Sequence, residues 1–102
     1  MKDWNGREVF LLKSTIRNHI ARFHTEELLF MESIKSQFSN PLTVIYNPGA
    51  ISEQAIYDIQ VASRSYLQVN VKRKKWFGKD LIVSFYGIDT IPEGRQIWKQ
   101  KK

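Results

Sequence analysis

Both histidines of the chain lie in one short stretch, residues 16–27, which also carries two arginines and two glutamates. Imidazole is the side chain that ordinarily titrates nearest neutral pH, so acid–base chemistry is expected to begin in this stretch. His19 and His24 are five residues apart, which does not place them on one helical face, and neither an HExxH motif nor a cysteine accompanies them. We therefore expect no metal site and no cofactor.

Metal-free cleavage of a phosphodiester is the chemistry that these residues would best serve. The chain has no Gly-x-Ser-x-Gly turn and no glycine-rich phosphate loop, which argues against acyl transfer and nucleotide hydrolysis. Phosphodiester cleavage needs a general acid and base, with cations or hydroxyls to stabilise the charged transition state. His24 beside Arg22 would supply these groups. Equally, His24 can be a helix-terminal histidine favoured by the helix dipole, and Arg17 and Arg22 can be solvent-facing charges.

The charge of the chain favours a polyanionic partner. Sixteen lysines and arginines against ten acidic residues give a net charge of +6. Lys72, Arg73, Lys74 and Lys75 form one basic run, and residues 99–102 form a basic tail. Nucleic acid and an anionic membrane surface both fit this pattern, although each run can also be a solvated turn or tail.

Length and composition indicate one small domain. The chain of 102 residues has room for a single core, placed at about residues 7–98 of a domain that spans residues 1–102. It contains no cysteine, no stretch that resembles a signal peptide, and no apolar run near the roughly 20 residues of a membrane-spanning helix. We therefore expect a soluble cytoplasmic protein without membrane association.

Hydrophobic periodicity predicts helices early in the chain and strands later. The first forty residues are predicted to form a strand and two helices, and the second helix ends before Pro41. The pattern at 55–61 fits a strand and also tolerates a helical turn. The predicted elements are a strand at 7–13, two helices between 14 and 38, and strands at 42–46, 55–61, 66–72 and 81–86.

The two last strands show the clearest alternation and predict a hairpin whose loop holds the basic run. One face would carry Leu67, Val69, Val71, Leu81, Val83 and Phe85 against the helices. The opposite face would carry Gln68, Asn70, Lys72, Ser84 and Tyr86. Ser84 and Tyr86 are also ordinary residues for an exposed strand face. The expected fold is α+β, with N-terminal helices packed on an antiparallel sheet in two layers.

The order of motifs along the chain resembles a family of phage-encoded and toxin-associated nucleases, the barnase, EndoU, colicin and RelE-like domains. The clearest motifs are His-Ile-Ala-Arg-Phe-His-Thr-Glu at 19–26, Tyr-Leu-Gln-Val-Asn-Val-Lys at 66–72 and Ile-Val-Ser-Phe-Tyr at 82–86. A short strand precedes them, an Asn-Pro pair ends the second helix, and a Gly-x-x-Ile-Trp motif closes the series at residue 98. The resemblance covers residues 7–98.

This resemblance implies a metal-independent ribonuclease fold, with N-terminal helices on a four-stranded antiparallel sheet and the site on the open sheet face. It implies that His24 is the acid or base and that Ser84 holds phosphate. Arg22 and Tyr86 join them as candidate catalytic residues. Arg64 is the nearest match to an arginine that the family carries after its second strand.

Two functions follow as hypotheses. The first is a ribonuclease, a phage or mobile-element toxin, that cleaves RNA by acid–base transesterification and has an acidic antitoxin or immunity protein as partner. The second is a non-catalytic module with the same fold that binds nucleic acid or another protein. In both, the residues expected to bind nucleic acid are Arg17, Arg64, Lys72, Arg73, Lys74 and Lys75.

Overall fold

β-Branched and aromatic residues recur after residue 41, and five of the six described strands form there. The structure is a computed structural model that describes residues 1–12, 14, 31–61 and 63–101. In chain order the elements are β1 (Val9–Phe10), α1 (Met31–Gln37), β2 (Thr43–Asn47), β3 (Ser52–Tyr57), β4 (Tyr66–Trp76), β5 (Lys79–Ile88) and β6 (Arg95–Lys99).

The six strands form one mixed sheet in the order β1–β5–β4–β3–β2–β6. Neighbouring strands are antiparallel except β1 and β5, which are parallel. The connection from β5 to β6, residues 89–94, leads from the second to the sixth position in this order. It therefore has to cross one face of the sheet.

The expected fold, with N-terminal helices on a four-stranded antiparallel sheet, is wrong. The sheet has six strands and contains a parallel pair, and α1 is short. Two strands account for the difference: β1 adds to the edge beside β5, and the closing Gly-x-x-Ile-Trp motif forms β6 beside β2. Pairing between strands distant in sequence leaves no local periodicity, so the pattern could not predict either partner.

Several individual elements agree with their sequence patterns. The strands predicted at 42–46, 66–72 and 81–86 are confirmed as β2, β4 and β5, and the strand predicted at 55–61 is found as β3, shifted towards the N-terminus. The second helix ends before Pro41, as predicted. The first predicted helix lies almost wholly outside the described residues. Within those residues, no helix is long and apolar enough to cross a membrane.

The hairpin of β4 and β5 differs from its prediction in two respects. The basic run 72–75 belongs to β4, and the turn that follows consists of Phe77 and Gly78. A β-bulge also interrupts the alternation of β5, because Asn70 opposes Ser84 whereas the next residue, Val71, opposes Ile82. The bulge places Ile82 on the core face, where Leu81 and Val83 were expected.

The core lies on the sheet face that α1 covers. Leu67, Val69 and Val71 of β4 and Phe85 of β5 are buried there, as predicted, and Ile34 and Phe38 contribute from α1 and its end. The ring of Tyr57 stacks on Phe38 with centroids 6.0 Å apart, and its hydroxyl donates to the Phe38 carbonyl at 2.6 Å. Burial, followed by the nearby Asp3 charge, raises the pKa of Tyr57.

Candidate nucleic-acid interface

The opposite face of the β4–β5 hairpin carries a group of polar side chains that we call the polar face. It consists of Gln68, Asn70 and Lys72 from β4 and Ser84 and Tyr86 from β5. Gln68 opposes Tyr86 and Asn70 opposes Ser84 in the strand register, so these side chains share one face. Their placement on one face is the part of the sequence prediction that the strand register confirms.

Hydrogen bonds join the four neutral members of the polar face into one network. The Gln68 amide donates to Asn70 Oδ1 at 2.7 Å and to the Tyr86 hydroxyl at 3.0 Å. The Asn70 amide donates to Ser84 Oγ at 2.8 Å and to the Tyr86 hydroxyl at 3.4 Å. Because Ser84 Oγ accepts from Asn70, its own proton is directed elsewhere. Ser84 can therefore donate to an anionic oxygen, which is the role that holding phosphate requires.

The polar face continues across β3 and β2 in two rows of residues in register. One row is Ser84, Asn70, Gln54 and Ile45, and the other is Tyr86, Gln68, Ile56 and Thr43. The connection 89–94 lies against the β2 end of the rows, where Ile91 and Pro92 line a cleft with Thr43 and Ile45. Ile45, Ile56 and Gln68 are buried, whereas Asn70, Ser84 and Tyr86 are half-buried. The accessible part of this face is therefore its β4–β5 side.

Beyond the polar face, the hairpin continues into residues 74–79, which we call the hairpin end. Lys74 and Lys79 are exposed there, and Phe77 at the turn is 85% exposed. The Lys79 ammonium lies 5.0 Å from the ring centroid of Phe10 on the neighbouring β1. Lys72 belongs to the polar face and lies two residues before Lys74, so the two surfaces follow one another along β4. The strand is irregular at this point, because the register shifts between Lys72 and Trp76 and Lys74 has φ of 49°. The sequence patterns did not predict Phe77 as part of an interface.

Arg73 lies in the same basic run but is held by three carboxylates. Its Nε donates to Glu53 at 2.8 Å, Nη1 to Asp80 at 2.8 Å, and Nη2 to Asp3 at 2.6 Å. Trp4 Nε1 also donates to Glu53, at 3.3 Å. We call Arg73 and its three partners Asp3, Glu53 and Asp80 the carboxylate cluster. It joins the N-terminal segment to β3, β4 and β5, so the Arg73 guanidinium stabilises the fold.

The carboxylate cluster shifts the pKa of two of its members. Burial acts to lower the pKa of Arg73, but its hydrogen bonds to Glu53 and Asp3 outweigh burial and raise the pKa above its ordinary value. Burial acts to raise the pKa of Asp80, but the Lys74 backbone N–H at 2.9 Å and Arg73 together lower it. Asp80 therefore stays ionised at the base of the hairpin end.

Arg64, another of the predicted binding residues, does not lie at this surface. Arg64 pairs with Asp89 at 2.6 Å, and both side chains are more than half exposed. Arg64 precedes β4 whereas Lys74 lies near the end of that strand, so roughly 30 Å of extended chain separates them. Arg17, Arg22 and His24 lie outside the described residues, and so does the side chain of Lys75. The catalytic role expected for His24 stays a prediction.

No protein-family model matches this chain, and neither the curated proteins nor the solved structures contain a significant match to it. The resemblance to small nucleases therefore rests on the motifs quoted above.

Proposed function

We propose that this protein binds nucleic acid through the hairpin end and the adjoining polar face, as the non-catalytic hypothesis expects. The observation that supports the proposal is that exposed lysines at the hairpin end directly follow the polar face along β4. Lysines supply contacts to phosphate, which dominate affinity, and neutral amide and hydroxyl groups suit sugars and base edges. Arg73 is not part of the proposed interface because three carboxylates already surround its guanidinium.

The test is the salt dependence of oligonucleotide binding by the full chain. Each phosphate contact that a lysine makes releases counterions, so binding weakens steeply between about 50 and about 200 mM salt. We expect the double variant Lys72→Gln/Lys74→Gln to bind more weakly and to reduce the slope of log K against log salt by about two. Fluorescence anisotropy with labelled RNA and DNA measures both quantities.

A matched control removes the same charge elsewhere. Lys35 is exposed on α1, on the other side of the sheet, and Lys101 is exposed in the C-terminal tail. The double variant Lys35→Gln/Lys101→Gln should leave the slope nearly unchanged. Equal loss of slope in both double variants would indicate a general charge effect and would contradict an interface at the hairpin. Absence of binding by the unmodified protein would overturn the proposal itself.

Ribonuclease activity is the second candidate, and the network around Ser84 favours it. Asn70 holds the Ser84 and Tyr86 hydroxyls beside one another, which suits stabilisation of a charged phosphate in a transition state. RNA provides its own nucleophile, the 2′-hydroxyl, so acid–base help and charge stabilisation would suffice. An active ribonuclease has to be neutralised in its own host, so an acidic antitoxin or immunity protein belongs to this candidate.

Incubation with mixed cellular RNA in EDTA distinguishes the two candidates. Cleavage that produces 2′,3′-cyclic phosphate ends and disappears in His24→Ala and Ser84→Ala would support the ribonuclease. Ser39→Ala serves as a control, because Ser39 is exposed and lies outside the polar face. RNA that stays intact at high protein concentration would exclude cleavage, and the binding proposal would stand or fall on its own measurement.

A further inference from the structure

Phe77 occupies a turn position that its side chain does not favour. Trp76 opposes Lys79, so Phe77 and Gly78 are the two central residues of the turn, with φ of 49° and 75°. Positive φ at both positions is the geometry of a type I′ turn, which prefers asparagine, aspartate or glycine. A bulky residue with a Cβ is strained in this left-handed conformation. The turn backbone would thus be more stable with asparagine, aspartate or glycine at position 77.

Burial does not offset this strain. Phe77 is 85% exposed, so its ring gains little from removal of apolar surface from water. Burial in the core therefore does not account for a phenylalanine at the tip of the hairpin. A strained conformation at an exposed aromatic residue is a reason to look for a ligand of the ring.

The surroundings of the ring define which ligand fits. Lys74 and Lys79 lie on the two strands beside the turn, so an anion is attracted to the hairpin end. An aromatic ring beside cations is the combination on which single-stranded nucleic acids bind, with bases stacked on the ring and phosphates near the lysines. In a duplex the base faces are already stacked on one another, so an exposed ring finds few free base faces.

We propose that the hairpin end binds single-stranded nucleic acid, with an unpaired base stacked on Phe77 and the flanking phosphates near Lys72 and Lys74. This inference rests on the proposed function and narrows it to a class of ligand. The polar face favours nucleic acid over an anionic membrane. The Ser84 hydroxyl accepts from Asn70, so its own proton can be donated to a ribose or phosphate oxygen. Lipid insertion would instead use the Phe77 tip alone.

The test compares Phe77→Asn with the unmodified full chain. Asparagine suits positive φ, so the variant should melt a few degrees higher. It should nevertheless bind a labelled mixed-sequence single strand, longer than about 16 nucleotides, about tenfold more weakly, because base stacking is lost. Binding of the same sequence as a duplex should change little, and Phe77→Trp should retain single-strand binding. A gain in stability with a loss of binding is a combination that a purely structural role does not produce.

Ile51 provides a matched control on a second turn. It is also an exposed hydrophobic residue with positive φ, 52°, and it is 70% exposed in the turn between β2 and β3. An aliphatic side chain offers no stacking surface, so Ile51→Asn should raise the melting temperature in the same way and leave single-strand binding unchanged.

The outcomes separate this inference from the proposed function. Single-strand binding that is equal in Phe77→Asn and the unmodified protein, or equally weakened by Ile51→Asn, would overturn the stacking inference and leave nucleic-acid binding in place. Failure of the unmodified protein to bind any oligonucleotide would overturn both. Phe77-dependent binding to phosphatidylserine vesicles in the absence of oligonucleotide binding would identify a membrane surface as the ligand and would also overturn both.

Discussion

Replacement of Arg73 by methionine is expected to destabilise the protein by about 3–5 kcal/mol. The methionine side chain fills much of the same space but leaves the carboxylates of Asp3, Glu53 and Asp80 without their shared cation. Asp3 and Glu53 are buried, at 4% and 8% exposure, so water cannot replace the guanidinium for them. The free energy of unfolding from urea denaturation at neutral pH measures this cost.

Arg64 provides the control, because its ion pair with Asp89 is equally short but exposed. The N–O distance is 2.6 Å in both the Arg64–Asp89 and the Arg73–Asp3 pairs. Exposed pairs contribute at most about 1 kcal/mol, so Arg64→Met should have a small effect. If Arg73→Met cost no more than Arg64→Met, the carboxylate cluster would not stabilise the fold in the way its burial indicates.

The pH dependence of the same variant supplies a second measurement. The pKa of Asp80 is lowered in the folded state, so its contribution to stability is present above its ordinary value of 3.8 and is lost as the pH falls through the lower folded value. Arg73 is one of the groups that lower this pKa, so Arg73→Met removes part of that contribution. The stability difference between the two proteins should therefore shrink as the pH falls below 3.8. A difference that grows in acid would contradict this account.

The carboxylate cluster gives Arg73 a role different from that of the lysines beside it, and the sequence could not predict this difference. Lysines and arginines that follow one another look equivalent in a sequence, but Lys72 and Arg73 are neighbours in β4, and neighbouring side chains of a strand point to opposite faces. Asp3 and Glu53 are 70 and 20 residues away from Arg73 along the chain. No local pattern could indicate that they converge on one arginine of the run.

The hairpin was the most predictable part of the molecule, since the alternation from Gln68 to Lys72 is regular and its register follows from it. Prediction failed where one inserted residue changed the alternation, at the bulge that turns Ile82 towards the core. Prediction also failed at Phe77. A two-residue hairpin turn is recognised in a sequence by asparagine, aspartate or glycine at its central positions, and phenylalanine is not one of these residues. The polar face was thus predictable from periodicity, whereas the hairpin end required knowledge of the turn geometry.

Gly94→Ala is the second substitution with a large expected effect, a loss of about 3 kcal/mol. Gly94 precedes β6 with φ of 154°, and a Cβ there would lie 2.5 Å from Ile45 Cγ2. Ile45 cannot turn away easily, because it is β-branched and buried in β2. The added methyl group has to displace either the connection 89–94 or the buried Ile45 side chain. Thermal and urea unfolding measure the loss.

Gly6→Ala serves as a control for Gly94→Ala, because it separates the cost of backbone strain from the cost of the steric clash. Gly6 also has positive φ, 73°, but a Cβ there would have no atom within 4 Å, so only backbone strain of about 1 kcal/mol is expected. In the Ile45→Ala background, Gly94→Ala should cost much less, because the atom it would meet is gone. Equal costs for Gly94→Ala in both backgrounds would contradict the close approach of the connection to β2.

The Gly94→Ala variant also tests from which side of the sheet nucleic acid binds to the polar face. The connection 89–94 closes the β2 side of the polar face, and the hairpin end lies on the other side of the sheet order. If nucleic acid binds from the β4–β5 side, Gly94→Ala at a temperature where it is folded should bind oligonucleotides as the unmodified protein does. A loss of affinity in the folded variant would instead place part of the binding surface at the cleft beside Thr43, where the connection meets β2 and β6.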